Sequence, residues 1–109
     1  MASDKNHLDF VLDQIGPAGV VTAKRMFGEY GIYCDGKIVA LFCDSQLFVK
    51  PTARGRAYIC NPVEAAPYPG AKPYFLLQEK IEDRDWISGL IRLTAKELSL
   101  PKTRRDAAG

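Results

Sequence analysis

Leu8, Val11, Leu12 and Ile15 recur at i, i+3, i+4 and i+7, while Asp9, Asp13 and Gln14 fill positions between them. That spacing makes one apolar helix face. It predicts an amphipathic helix over residues 4 to 15, with Ser3 or Asp4 as its cap and Gly16-Pro17 as its end. Residues 18 to 23 have no clear period and read as a loop or short extension before the first strand. From Lys24 to Lys50 the pattern changes to that of a tight three-strand meander. Asp35-Gly36 is its firmest turn, because a two-residue type I′ loop needs positive φ at both centres and Asp-Gly adopts it at low cost. This turn pairs Tyr33 with Ile38 and Ile32 with Val39. A second turn at Asp44-Ser45 pairs Phe42 with Leu47 and Leu41 with Phe48.

In that register Tyr30, Ile32, Cys34, Val39, Leu41, Cys43 and Phe48 point one way, and Tyr33, Ile38, Ala40, Phe42, Leu47 and Val49 the other. Both faces are apolar, whereas an antiparallel sheet with one wet face shows cleaner polar alternation. Each face therefore needs a cover, whether the chain's own helices, a second subunit or partner, or a ligand. A bulge in any strand would reshuffle the two sets.

Thr52 to Ile59 reads as a short helix, entered through Pro51-Thr52 and weakened by Gly55. Residues 61 to 73, NPVEAAPYPGAKP, hold four prolines and one glycine and exclude a long regular element. Such a connection is either a recognition loop or a loop that closes over the sheet edge with Tyr68 beneath it. Tyr74 to Gln78 is a strand, and Asp83 caps a helix running to Thr94 or Ala95 with Trp86, Ile87, Leu90, Ile91 and Leu93 on its apolar face. The order is helix, three strands, helix, strand, helix, with an extra short strand around residues 62 to 65. The fold class is α+β, helices packed on an antiparallel sheet.

With 109 residues the chain makes one domain, assigned to residues 1–100, followed by a flexible basic tail at 101–109. The formal charge of +2 comes from that tail, whose Lys102, Arg104 and Arg105 face a single acid, Asp106, leaving 12 basic and 12 acidic residues before it. A neutral body argues against a dedicated phosphate-binding face, so direct nucleic-acid binding is expected to be weak or absent. No stretch nears the roughly 20 apolar residues of a membrane span, and the N-terminus lacks the order of an export signal, so a cytoplasmic protein is expected. Cys34, Cys43 and Cys60 sit in or beside apolar segments and read as reduced thiols.

Chemistry finds little support. His7 is the single histidine, the cysteines are 9 and 17 residues apart, and no Gly-x-Ser-x-Gly turn is present, so neither a metal site nor a nucleophile is predicted. The acids Glu79, Glu82, Asp83 and Asp85 fall where helix capping places them. Gly28 and Gly31 lead into an antiparallel strand, which is no dinucleotide motif; they permit a bulge, a tight bend or a close approach. No cofactor is expected.

The runs Arg25–Gly28 (RMFG), Glu29–Lys37 (EYGIYCDGK), Leu47–Thr52 (LFVKPT) and Tyr68–Tyr74 (YPGAKPY), in that order, resemble the N-terminal domain of the TfoX/Sxy family of bacterial competence regulators. The resemblance covers about residues 7 to 100. It implies a two-layer α+β fold like that of secretion chaperones, and a role similar to that of transcription coactivators thought to act with the cyclic-AMP receptor regulator. Many members carry a second, helical C-terminal domain, which is not expected within 109 residues. The resemblance brings no catalytic residues. The expectation is thus a small non-catalytic protein-interaction domain related to competence or transcription, with transcription machinery as partner and homodimerisation through the surplus apolar face. Arg25, Glu29, Lys50, Tyr68, Lys72 and Tyr74 are its candidate contacts. The alternative is a small-molecule binding domain, or an enzyme, using a groove near the 61–73 loop with Glu29 and Tyr68 as its first polar groups.

Overall fold

Two tight turns set the register of the sheet. Asp35 and Gly36 take φ of 52° and 84°, and Asp44 and Ser45 take 52° and 57°, so both central residues of each hairpin loop lie in the left-handed region that a type I′ turn requires. The computed structural model describes residues 5–26 and 28–99. The expected cap residues Ser3 and Asp4, Phe27, the domain end at 100 and the tail from 101 to 109 lie outside the described residues.

The described chain runs α1 (Lys5–Ile15), a 3-10 turn (Gly16–Ala18), β1 (Val21–Met26), β2 (Glu29–Cys34), β3 (Lys37–Cys43), β4 (Gln46–Val49), α2 (Ala53–Ile59), β5 (Val63–Ala65), β6 (Tyr74–Leu77), a 3-10 turn (Lys80–Glu82) and α3 (Arg84–Ser99). The six strands form one antiparallel sheet in the order β1-β2-β3-β4-β6-β5. The α+β expectation is met. Two elements differ from it. Residues 21 to 26, spanning the end of the stretch 18 to 23 read as a loop or short extension and the start of the meander, form an edge strand of their own, so that four strands and not three precede α2; its pairing with β2 runs from Val21↔Cys34 to Met26↔Glu29. α3 continues to Ser99, past the expected end at 94 or 95.

The pairs Tyr33↔Ile38, Leu41↔Phe48 and Phe42↔Leu47 are as expected, but Ile32 faces Ala40 and not Val39. β3 carries a bulge at Val39, and one extra residue reverses the facing of everything after it. The expected face sets are corrected accordingly. Ile32, Cys34 and Val39 share the helix-covered core with Ala40, Phe42, Leu47 and Val49, whereas Leu41, Cys43 and Phe48 join Ile38 on the opposite face. The bulge is also why the consecutive Val39 and Ala40 both enter the core.

The main core lies between this sheet face and α1 and α3. Leu8, Val11 and Ile15 of α1 meet Ile87, Leu90, Ile91 and Ala95 of α3 over Phe42, Leu47 and Phe75. Deleting such a buried ring as Phe42, fully out of solvent, costs about 3–5 kcal/mol. Polar ties hold the helices in place: Gln14 Nε2 donates to the Ile81 carbonyl at 2.9 Å and Arg92 donates to the Pro17 carbonyl at 2.8 Å. α2 is capped twice. Thr52 Oγ1 accepts from the Gly55 N–H at 2.9 Å, and the Glu97 carboxylate of α3 accepts from the Ala53 and Arg54 N–H groups. Among the described residues no helix is long and apolar enough to cross a membrane.

Candidate functional site: a groove on the open sheet face

All three α-helices gather on one side of the sheet, so the second apolar face is left to the connection between β5 and β6. That connection arches over Leu41, Cys43, Phe48 and the flanking Met26, Ile38, Ala65, Tyr74 and Leu76. It does not seal them. Pro67 is buried while Tyr68 is 52% exposed, so proline supplies the contact beneath the loop and the tyrosine stands as a wall. Gly70, with φ 87°, and a hydrogen bond from the Ala71 N–H to the Tyr68 carbonyl at 3.1 Å fold the loop back at this point. Between loop and sheet lies a groove of about 860 Å³, within the range of about 300–1,000 Å³ usual for ligand sites.

Its floor is Leu41 and Cys43 of β3 with Ile38 and Met26, and its walls are Pro67, Tyr68 and Pro69 on one side and Tyr30 and Tyr74 on the sheet. Gly31 gives the floor its shape: a Cβ there would sit 3.2 Å from the Met26 sulfur and 3.3 Å from the Ile38 Cδ1. The glycine at 31 thus serves a close approach, one of the roles its position allowed; Gly28, with φ 81°, serves the β1–β2 turn. At one end stand two carboxylates, Glu29 and Asp44. Glu29 Oε2 also accepts the Asp44 N–H at 3.0 Å and so supports the strained Asp44-Ser45 turn.

The groove disfavours further negative charge. Burial pushes the Cys43 thiol above its ordinary value, and the Glu29 and Asp44 carboxylates push it in the same direction. Tyr74 is raised by burial first, then by Tyr68 and Cys43. Cys34, on the helix side, is raised by burial and by Asp35, with Arg92 acting against them. None of these shifts produces a reactive thiolate. His7 stacks on Phe42 with ring centroids 5.3 Å apart, on the face opposite Cys43. No group of three His, Cys, Asp or Glu side chains among the described residues is placed to hold a metal ion.

Of the six residues read from the sequence, Glu29, Tyr68 and Tyr74 meet in the groove. Lys50 and Lys72 lie apart from it, around a shallow depression of about 400 Å³ that also includes Arg56 and Glu64 and is bordered by Tyr74. Arg56 is paired there with Glu64 at 2.8 Å. Arg25 belongs to neither: it lies over the Tyr30 ring, 5.6 Å from the centroid, on edge strand β1. Sequence reasoning missed Met26, Ile38, Leu41 and Cys43 as groove residues. The bulge brings Leu41 and Cys43 to the face of Ile38, and Met26 lies on β1, which was not read as a strand.

The described surface thus offers an acidic, tyrosine-walled groove beside a basic depression, with Tyr74 common to both. A family model described as the TfoX N-terminal domain matches residues 13–98. The chain is also 43% identical, over 105 residues covering 96% of it and 91% of the relative, to an "Uncharacterized 12.7 kDa protein in trpE 5'region" of Spirochaeta aurantia.

Proposed function

The chain belongs to the TfoX N-terminal domain family, and from that premise we propose that it is a small, non-catalytic regulatory domain that works in the cytoplasm by docking a protein of the transcription machinery on its open sheet face. The observation that carries this reading is the groove itself. An apolar floor, standing tyrosines and a polar rim are the composition of a protein-contact surface, in which buried aromatic anchors contribute most of the binding energy. Lys50 and Lys72 orient an acidic region of the partner beside the groove. Self-association uses the same face, so dimer formation and partner binding compete. The likeness to secretion chaperones that the family resemblance implies belongs to this proposal as a likeness of layers alone.

The test is affinity capture from the native host after crosslinking, with and without nuclease. Reproducible recovery of one transcription regulator or RNA polymerase, unchanged by nuclease and lost with Tyr68→Ala, is the expected outcome. Recovery that vanishes with nuclease, or that ignores Tyr68, contradicts it.

A second reading, a small-molecule site, is favoured by one observation: the volume of the groove matches that of ligand pockets.

A further inference from the structure

The groove is selective in charge. Its described lining carries two carboxylates, Glu29 and Asp44, and no lysine or arginine. Tyr68 and Tyr74 line the apolar floor, whereas Tyr30, which also borders the groove, packs against the helix-covered core and carries Arg25 over its ring. A cation beside aromatic faces and carboxylates is stabilised by the ring quadrupoles and by charge–charge attraction, both strengthened where water is partly excluded. An anion in the same place would be repelled by both carboxylates, which add to the effect of burial in raising the Cys43 thiol. The space, about 860 Å³, accommodates several side chains and not one ammonium group alone.

We propose that the groove receives a short peptide segment of the partner protein that presents an arginine or lysine between apolar residues, its cationic head at Glu29 and Asp44 and its apolar flanks on Leu41, Ile38 and Tyr68. This rests on the protein-docking reading and gives it a chemistry. Two conservative substitutions neutralise the carboxylates. Glu29→Gln keeps an oxygen for the Asp44 N–H, and Asp44→Asn suits the positive φ at that position.

The probes are two blocked pentapeptides, acetyl-Leu-Ala-Arg-Ala-Leu-amide and its Glu counterpart, titrated into the isotopically labelled full chain and followed by amide shifts. The Arg peptide is expected to shift Leu41, Cys43, Asp44 and Tyr68 saturably and to bind about tenfold more tightly than the Glu peptide. The Glu29→Gln/Asp44→Asn chain should lose about fivefold in affinity, the scale of an exposed charge pair. Equal affinity for the two peptides, shifts confined to another face, or indifference to the double substitution would overturn the proposal. So would n-butylguanidinium binding as tightly as the Arg peptide, since the site would then be one for small cations. A captured partner whose binding ignores the double substitution overturns this inference and leaves the docking reading standing. Selectivity for the Arg peptide without any captured partner overturns the docking reading, and with it the assignment of the segment to a partner protein, and leaves only the charge preference of the groove standing.

Discussion

Glu29 has two tasks that single substitutions separate. Its carboxylate supports the Asp44 N–H at a turn whose two central residues, Asp44 and Ser45, both have positive φ without being glycine, and its charge faces the groove. Glu29→Ala is expected to destabilise the fold by about 1 kcal/mol, the worth of one such hydrogen bond, while Glu29→Gln keeps most of that stability; urea unfolding of both variants checks the difference. The thiols give a second expectation. Cys60 is exposed and Cys34 and Cys43 are buried with raised pKa, so iodoacetamide should label Cys60 in the native chain and reach the other two only after denaturation. Because the native state holds those two protons more tightly than the unfolded state, their contribution to stability is complete below the ordinary thiol value of 9.0 and is lost as pH rises beyond it. Stability should therefore fall on the alkaline side of pH 9, and less steeply in a Cys34→Ala/Cys43→Ala chain. At this scale the sequence disclosed Glu29, Tyr68 and Tyr74 as surface candidates because they flank turns and prolines. It hid Leu41 and Cys43, since no glycine or proline marks the bulge at Val39 that turns them outward.

The short helix α2 shows how an element of seven residues is held from outside itself. Its N-terminal N–H groups are satisfied by Thr52 and by Glu97 from α3, replacing what a helix too short to be stable alone lacks. Thr52→Ala should cost about 1 kcal/mol. Gly55→Ala should also destabilise, although alanine is the better helix former, because the new Cβ would stand 2.7 Å from Thr52 Oγ1 and 3.4 Å from Phe75; thermal unfolding of the pair decides the sign. The helices, the two hairpin turns and the short β5 strand were legible because each rests on local rules of period, cap and turn. β1 was not, since Val21–Met26 breaks its alternation with the adjacent Lys24 and Arg25 and becomes a strand through its pairing with β2, a non-local cause.

Over its described residues the molecule is a sheet with unequal faces, one closed by helices and the other arched by a loop. Self-association through the open face predicts a mass that rises with concentration in light scattering and falls toward the monomer when the Arg peptide fills the groove. The central claim, that this face is where a partner binds, is tested most directly by placing the photo-crosslinker p-benzoylphenylalanine at either of two exposed tyrosines in the native host. Tyr68 stands at the groove, and Tyr58 lies on α2, packed against Trp86 of α3. The account predicts one discrete protein adduct from position 68, weakened by Glu29→Gln/Asp44→Asn, and none from position 58. Adducts from position 58 alone, or the same adducts from both, would contradict it.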